Sequence, residues 1–146
     1  MSLNNVIPAN LIDKSWGRTT GWVKELKPNE VFVFGDNEAH IHGAGAAKQA
    51  MRFGAKHGQQ TSEQTYGIPT KDVKIKYTLS LNKIKKHVNE FIEYAKNKPE
   101  KIFLVTEIGC GLAGLKYEDI APMFKEAIDI KNIYLPKKFW DILLER

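Results

Sequence analysis

Cysteine is almost absent from this chain of 146 residues, with Cys110 as its single example. One cysteine cannot form a disulfide within the chain, and such usage fits a reducing compartment, so we expect a cytoplasmic protein. No apolar run approaches the roughly 20 residues of a membrane-spanning helix, and the first residues lack the pattern of a secretory signal. Repeats and low-complexity tracts are missing too. These absences predict one globular domain over residues 1–146, of which residues 1–30 carry the weakest pattern.

Acidic residues are fewer than basic ones, with 17 Asp and Glu against 22 Lys and Arg and a formal net charge of +5. This excess suits an anionic ligand, and it also suits nucleic acid. Six lysines are concentrated in one segment: Lys71, Lys74, Lys76, Lys83, Lys85 and Lys86. That segment has the single aromatic residue Tyr77, whereas proteins that bind single strands stack bases on several. A solvated surface is the preferred interpretation, and a non-catalytic nucleic-acid-associated module remains the alternative.

Hydrophobic patterning predicts strands that alternate with helices. The predicted strands cover residues 31–34, 65–69, 102–105 and 133–135, with a short strand near 21–26 and an exposed loop at 59–64. The predicted helices cover residues 43–57, from Ser80 or Asn82 to before Pro99, 117–128, and from Pro136 onward with Phe139, Ile142 and Leu143 inward. Trp16 and Trp22 are expected to pack on the core. The alternation predicts an α/β fold, a mostly parallel sheet covered by helices on both faces in three layers.

A glycine-rich loop follows the strand predicted at residues 102–105 and reads Ile108-Gly109-Cys110-Gly111-Leu112-Ala113-Gly114. Glycine permits positive φ and lets a ligand approach the main chain without a Cβ in the way. A strand, a glycine loop and a helix in this order present backbone N–H groups to an anion, most often phosphate.

A second loop repeats this order after the strand predicted at residues 31–34. Gly35-Asp36-Asn37 is predicted to be the turn that leaves the strand, and Gly43-Ala44-Gly45 opens a helix of small residues. In parallel sheets ligands bind beyond the carboxyl ends of the strands, where both loops fall. The two loops together predict one ligand with two phosphates, or with a phosphate and a sugar.

The glycine spacing also satisfies the dinucleotide-binding fingerprint, through Gly109, Gly111 and Gly114. A dinucleotide-binding Rossmann site needs an acidic residue at the end of the next strand to hold the ribose. That strand ends Tyr134-Leu135-Pro136, without a carboxylate. A Rossmann site is therefore disfavoured.

The chain resembles the macro domain family, whose members bind ADP-ribose. Residues 108–114 are similar to that family's diphosphate loop, which is the most specific part of the resemblance. Asn37 corresponds to the second asparagine of the family's Asn-Ala-Ala-Asn segment, residues 43–47 resemble its glycine-rich loop, and residues 66–69 match the strand between them. The resemblance covers about residues 31–128.

The chain departs from the family pattern at two places. Phe34 stands where the family has its first asparagine, and Gly35-Asp36 replaces its two alanines. The family's early Gly-Asp-Ile segment, whose aspartate holds the adenine, has no counterpart before Val31. The resemblance therefore implies a short, diverged member.

The resemblance implies that ADP-ribose or a related nucleotide phosphate binds here, with an ADP-ribosylated macromolecule as a further partner. The ligand-binding candidates are Gly35, Gly43, Ala44, Gly45, Gly109, Cys110, Gly111, Leu112, Ala113 and Gly114. For an enzyme that hydrolyses an ADP-ribosyl bond, the catalytic candidates are Asp36 as a general base for water and Asn37 to orient it. Gly-Asp-Asn is also favourable turn chemistry without a function, but the functional interpretation is preferred because the turn leads into a glycine-rich helix start. The sequence leaves binding module and hydrolase open. No cofactor is expected.

Two histidines and the cysteine carry the remaining candidate chemistry. His40 and His42, with Asp36 nearby, supply three potential metal ligands, but no further cluster completes a shell. We therefore expect no metal, and histidines that line the mouth of the site or face solvent. Cys110 is interpreted as a small packing residue rather than a nucleophile, and Glu107 is a weak candidate for the site.

Overall fold

The computed structural model describes residues 15–16, 25–111 and 113–145. The packing expected of Trp16 and Trp22 and the ligand contact expected of Leu112 lie outside the described residues, as does most of the strand predicted near 21–26. Across the described part of the chain, no helix combines the length and apolar character needed to cross a bilayer.

Strands and helices alternate along the described chain. The strands are β1 (Ser15–Trp16), β2 (Glu30–Asn37), β3 (Thr61–Ser62), β4 (Thr65–Lys71), β5 (Ile102–Val105) and β6 (Ile133–Pro136). The helices are α1 (Gly45–Met51), α2 (Leu81–Lys96), α3 (Tyr117–Ile120), which continues as a 3₁₀ helix (Ala121–Asp129), and α4 (Lys137–Leu143).

The strands form one mixed sheet in the order β1-β6-β5-β2-β4-β3. Neighbouring strands are parallel except for β3 and β4, so the predicted α/β class with a mostly parallel sheet is confirmed. The central strand β2 pairs with β5 on one side and β4 on the other. Because these three strands run in the same direction, the segments that follow β2 and β5 leave the sheet at the same edge.

The core divides at β2, whose successive side chains point to opposite faces. Val31 and Val33 join the larger core cluster, which also contains buried residues of α2, the 3₁₀ helix and α4. Phe32 and Phe34 join a smaller cluster with alanines of α1 and the segment after it. Both faces of β2 are therefore covered.

Helix α2 is the element that the sequence predicts best. The Ser80 side chain accepts a hydrogen bond from the Lys83 backbone N–H at 3.3 Å, which caps the first turn. The buried residues are the predicted stripe: Ile84, Val88, Phe91, Ile92 and Ala95. The helix ends at Lys96, before Pro99, as expected.

Strand β2 is longer than predicted. The prediction of a turn at Gly35-Asp36-Asn37 is wrong, because these residues continue the ladder with β4 to the pair Asn37 and Lys71. The register shifts between Asp36 and Asn37, so a bulge is placed where the chain leaves the sheet.

The segment after β2 also differs from its prediction. Helix α1 ends at Met51 instead of residue 57, and hydrogen bonds from Arg52 and Phe53 to carbonyls three residues earlier tighten its end. Gly54 then adopts a φ of +106°, which a continuing helix does not allow. The Gly58 N–H donates to the carbonyl of His40 at 2.8 Å, so this glycine closes the loop after β2.

Three smaller differences complete the comparison. Strand β4 continues past Pro69 to Lys71, and the loop expected at 59–64 contains β3. The helix predicted at 117–128 is present, largely as the 3₁₀ helix. In α4 the buried side chains are Phe139 and Trp140, whereas the predicted Ile142 and Leu143 are only partly buried.

Candidate functional site

The glycine loop after β5 is anchored to the end of β2. The backbone N–H of Thr106 and its hydroxyl both donate to the carbonyl of Val33, at 3.0 and 2.8 Å. Farther on, a Cβ placed on Gly35 would lie 3.4 Å from the backbone nitrogen of Gly109. A Cβ at position 35 would thus touch the loop at van der Waals distance, so the end of β2 and the start of this loop lie directly against each other. The structure therefore brings together the predicted candidates Gly35 and Gly109.

Several N–H groups of this loop have no acceptor among the residues that the structure describes. Cys110 donates to the carbonyl of Glu107, and Gly114 to that of Gly111. Among the hydrogen bonds between described residues, the N–H groups of Gly109, Gly111 and Ala113 have no acceptor. Unpaired donors in a glycine loop are suited to bind phosphate oxygens.

The Cys110 thiol and the Tyr117 hydroxyl behind this loop stay neutral around neutral pH, because both have a raised pKa. Burial, followed by the charge of Glu107, raises the pKa of the Cys110 thiol to about 12. The hydrogen bond to Glu107 raises the pKa of Tyr117 to about 12, and burial raises that of Glu107. A nucleophilic cysteine needs a lowered pKa. The geometry therefore agrees with a packing role for Cys110.

The second glycine loop leads into α1 at the edge where β2 ends. Gly43, Ala44 and Gly45 are exposed, and Ala44 precedes the helix with extended backbone. No side chain caps this helix start, and Gly45 adopts a φ of +59°. The predicted glycine-rich start is thus exposed main chain, with the first-turn N–H groups outside the helical hydrogen-bond pattern.

Asn37 holds the turn between β2 and α1. Its side-chain oxygen accepts hydrogen bonds from the N–H groups of Ala39 and Ile41, both at 3.1 Å. Its amide nitrogen donates to the carbonyl of Ile41 at 2.8 Å. The side chain is therefore used in shaping the loop, and its predicted contact with a ligand stays a prediction.

Asp36 lies between two imidazoles. Its side chain is fully buried, and Oδ2 lies 2.6 Å from Nδ1 of His40. Oδ1 lies 3.3 Å from Nδ1 of His42, but without the geometry of a hydrogen bond, and neither atom has another partner. A buried carboxylate with one unsatisfied oxygen is costly for folding and is typical of functional sites.

The other histidines of this loop are held by main-chain atoms. His42 is buried, and its Nε2 lies 2.9 Å from the Lys56 carbonyl, an acceptor only, so Nε2 must carry the proton. The His57 Nδ1 accepts a hydrogen bond from the backbone N–H of His42 at 3.0 Å. Within the described ranges, no group of three His, Cys, Asp or Glu side chains is placed to hold a metal ion.

The sequence did not predict the pairing of His40 with Asp36. The four-residue spacing was visible, but its geometry depends on His40 adopting a left-handed backbone, with a φ of +57°. The sequence predicts that these histidines line the mouth of the site or face solvent. Exposure to solvent holds in part for His40, whose side chain is 22% exposed, and does not hold for buried His42, while a place at the mouth of the site stays a prediction.

The lysine-rich segment adjoins both loops at its base. The Lys71 carbonyl accepts a hydrogen bond from the Glu38 N–H at 2.9 Å, and the Thr78 hydroxyl donates to the Ala113 carbonyl at 2.9 Å. Lys71 and Thr78 form an isolated antiparallel bridge, which closes a hairpin over residues 71–78. Tyr77 projects from it with 62% of its surface exposed, beside the ammonium of Lys76 at 5.3 Å from the ring centre. The remaining lysines are exposed on α2: Lys83, Lys85 and Lys86.

Comparisons with models of protein families, with curated proteins and with solved structures find no match to this chain. The function of the site must therefore be inferred from its own residues.

Proposed function

We propose that this protein binds ADP-ribose or a related nucleotide phosphate at the carboxyl edge of β2 and β5. The observation that carries this proposal is the close approach of two glycine segments, with the backbone nitrogen of Gly109 at 3.4 Å from a Cβ placed on Gly35. The unpaired N–H groups of Gly109, Gly111 and Ala113 are the donors for the diphosphate.

We propose that the protein has a three-layer α/β/α arrangement similar to the macro domain. Two observations support it: the central strands are parallel, and alternate side chains of β2 enter two separate core clusters. Helix α1 belongs to one cluster, and α2 with the 3₁₀ helix to the other. This arrangement leaves the carboxyl edge of the sheet as the place for a ligand.

The proposed orientation of the ligand follows from the chemistry of the two loops. Residues 109–114 offer only main-chain groups and a neutral thiol around the anion, which suits the diphosphate. The loop after β2 adds the partly exposed imidazole of His40, which the buried Asp36 carboxylate holds, and this pair suits proton transfer at a ribose. We place the distal ribose there, and with it any hydrolysis of an ADP-ribosyl bond.

Isothermal titration of the wild-type protein with ADP-ribose tests this proposal, with AMP and ribose 5-phosphate as comparison ligands. We expect ADP-ribose to bind more tightly than either fragment, because it alone fills both the diphosphate and ribose positions. Equal affinity for AMP would confine recognition to one phosphate and contradict the proposal. No heat with any of the three would refute it.

A second candidate function uses the basic hairpin over residues 71–78, where exposed Tyr77 stands beside Lys76. A cation and an aromatic ring are the elements that bind single-stranded nucleic acid. On this account an oligonucleotide binds with an affinity that falls steeply as salt rises, and excess ADP-ribose does not displace it. The variant Tyr77→Ala weakens such binding and leaves titration with ADP-ribose unchanged.

A further inference from the structure

We propose that His40 is the general base of a hydrolytic reaction at this site and that Asp36 is its positioning residue. This inference rests on the proposed binding of ADP-ribose and adds a role for a residue that the sequence did not select. The probe for this reaction is an ADP-ribosyl ester, in which the anomeric carbon of the distal ribose is bonded to a carboxylate oxygen.

The hydrogen-bond partners fix the tautomer of His40. Asp36 offers only acceptor atoms when ionised, so the 2.6 Å contact requires the proton of the neutral imidazole to be on Nδ1. Nε2 then carries the lone pair, and within the described residues it has no hydrogen-bond partner. The Asp36 side chain is fully buried, whereas that of His40 is 22% exposed, so the imidazole is the accessible member of the pair.

The backbone of His40 is held in an unfavourable conformation. Its φ of +57° lies in the left-handed region that non-glycine residues rarely adopt. Hydrogen bonds fix it on both sides, from the His40 N–H to the Asn37 carbonyl at 3.0 Å and from the Gly58 N–H to the His40 carbonyl at 2.8 Å. Strain of this kind persists where the surrounding structure imposes it and is concentrated at functional sites.

Residues of the neighbouring strand β4 fix the position of Asp36. A Cβ on Gly67 of β4 would overlap the Asp36 carboxylate, so glycine at that position makes room for it. The Thr70 hydroxyl donates to the Asp36 carbonyl at 3.3 Å, and the pairing with Pro69 fixes the backbone. The pair has the arrangement in which a buried carboxylate orients an imidazole and stabilises the imidazolium that forms.

The proposed step is hydrolysis. A water molecule gives a proton to Nε2 of His40, and its oxygen forms a bond to the anomeric carbon of the ribose. The bond from that carbon to the ester oxygen breaks, and its electron pair leaves with the carboxylate. Nε2 then releases the proton to solvent, so the products are ADP-ribose and the free carboxylate.

The experiment measures release of ADP-ribose from a peptide ADP-ribosylated on a glutamate side chain. Wild type is compared with His40→Asn, which tolerates the left-handed backbone and lacks the imidazole, with His40→Gly, and with Asp36→Asn. His87→Ala is the matched control, because His87 pairs with Glu90 at 3.1 Å on the surface of α2. Titration with ADP-ribose accompanies each rate measurement.

We expect kcat to fall about 100-fold or more in the three site variants, the scale of general-base catalysis, with ADP-ribose affinity little changed. Added imidazole restores part of the turnover of His40→Gly and none of Asp36→Asn, a rescue that a structural role would not produce. His87→Ala keeps the wild-type rate.

Three results would overturn this role. Wild type that binds ADP-ribose but releases none from the peptide has no hydrolase activity, and the proposed binding function then stands alone. If His40→Asn keeps the wild-type turnover, His40 is not the general base. The same conclusion follows if added imidazole does not restore turnover in His40→Gly. In both cases the proposed binding of ADP-ribose is unaffected. Absence of ADP-ribose binding by wild type refutes the proposed function, and this role with it.

Discussion

The carboxylate of Asp36 lies against Gly67 of the neighbouring strand. A Cβ on Gly67 would be 2.9 Å from both Cβ and Cγ of Asp36, closer than side chains in proteins approach each other. Gly67 is buried in β4, where its pairing with Phe34 leaves its backbone no freedom to move away. The position of the candidate carboxylate therefore depends on the absence of a side chain one strand away.

Gly67→Ala is expected to displace the Asp36 carboxylate and to separate it from His40. Overpacking of this kind costs about 1–3 kcal/mol of stability, and turnover falls with it. Urea denaturation and the hydrolysis assay measure the two effects. Gly43→Ala is the control for stability, because a Cβ there meets nothing within 4 Å. Unchanged stability in Gly67→Ala would show that the carboxylate lies elsewhere.

Gly111→Glu is expected to abolish binding of ADP-ribose and leave the fold intact. A Cβ at this exposed position meets nothing within 4 Å, so the side chain is accommodated, but its charge repels a diphosphate. Gly111→Gln adds a side chain of similar size without the charge, so it should retain part of the affinity for ADP-ribose. Titration calorimetry and thermal unfolding report binding and fold. Normal affinity in Gly111→Glu would place the anion site outside this loop.

Asn37→Ala is expected to lower the free energy of unfolding by about 1–3 kcal/mol, because it removes three hydrogen bonds to partly buried main-chain groups of the loop. The affected groups are the N–H groups of Ala39 and Ile41 and the Ile41 carbonyl. Turnover should weaken as well, since this loop carries His40, and binding of ADP-ribose should weaken because the same loop leads into the glycine segment 43–45. Asn37→Asp keeps the acceptor and should cost less. Lost binding at unchanged stability would instead indicate direct contact with the ligand.

Stability is expected to fall as the pH rises from about 10 to about 12. Burial, followed by the charge of Glu90, raises the pKa of Tyr66 in the folded protein from 10.0 to about 12. A pKa raised by folding gives stability that is present below the unfolded value and is lost as the pH passes the folded value. Tyr66→Phe removes this group and should flatten the loss, measured by urea denaturation across the window.

Tyr77→Phe is the matched control for this pH series, because Tyr77 is largely exposed and outside the core. It should follow the wild-type curve. The pKa values of Tyr117 and Cys110 are also raised to about 12. Part of the loss of stability at high pH should therefore remain in Tyr66→Phe. A curve for Tyr66→Phe as steep as wild type would contradict the burial of its hydroxyl.

The sequence predicts those elements whose signals are local. Helix α2 is predicted because a cap at Ser80 precedes a regular apolar stripe, and β5 because its four residues form one apolar run. The extension of β2 through Gly35 and Asp36 has no local signal. It is set by pairing with β4, a contact between distant parts of the chain.

In the candidate site, too, the sequence predicts the local features and misses those that depend on distant contacts. The glycine loops are visible in the sequence, and their meeting at one edge follows from the predicted parallel sheet. The pairing of Asp36 with His40 is not visible, because it needs a left-handed residue at position 40 and a gap supplied by Gly67. Asn37 was selected for its polarity, but its side chain is committed to the loop by bonds that only the folded chain reveals.

The most direct test of the account is a titration of the ¹⁵N-labelled protein with ADP-ribose, followed by the backbone amide resonances. The account predicts that amides of the segments 35–45 and 109–114 shift together with a single dissociation constant, and that those at the tip of the hairpin, residues 73–76, do not. Shifts confined to the hairpin, or to one glycine loop alone, would contradict it.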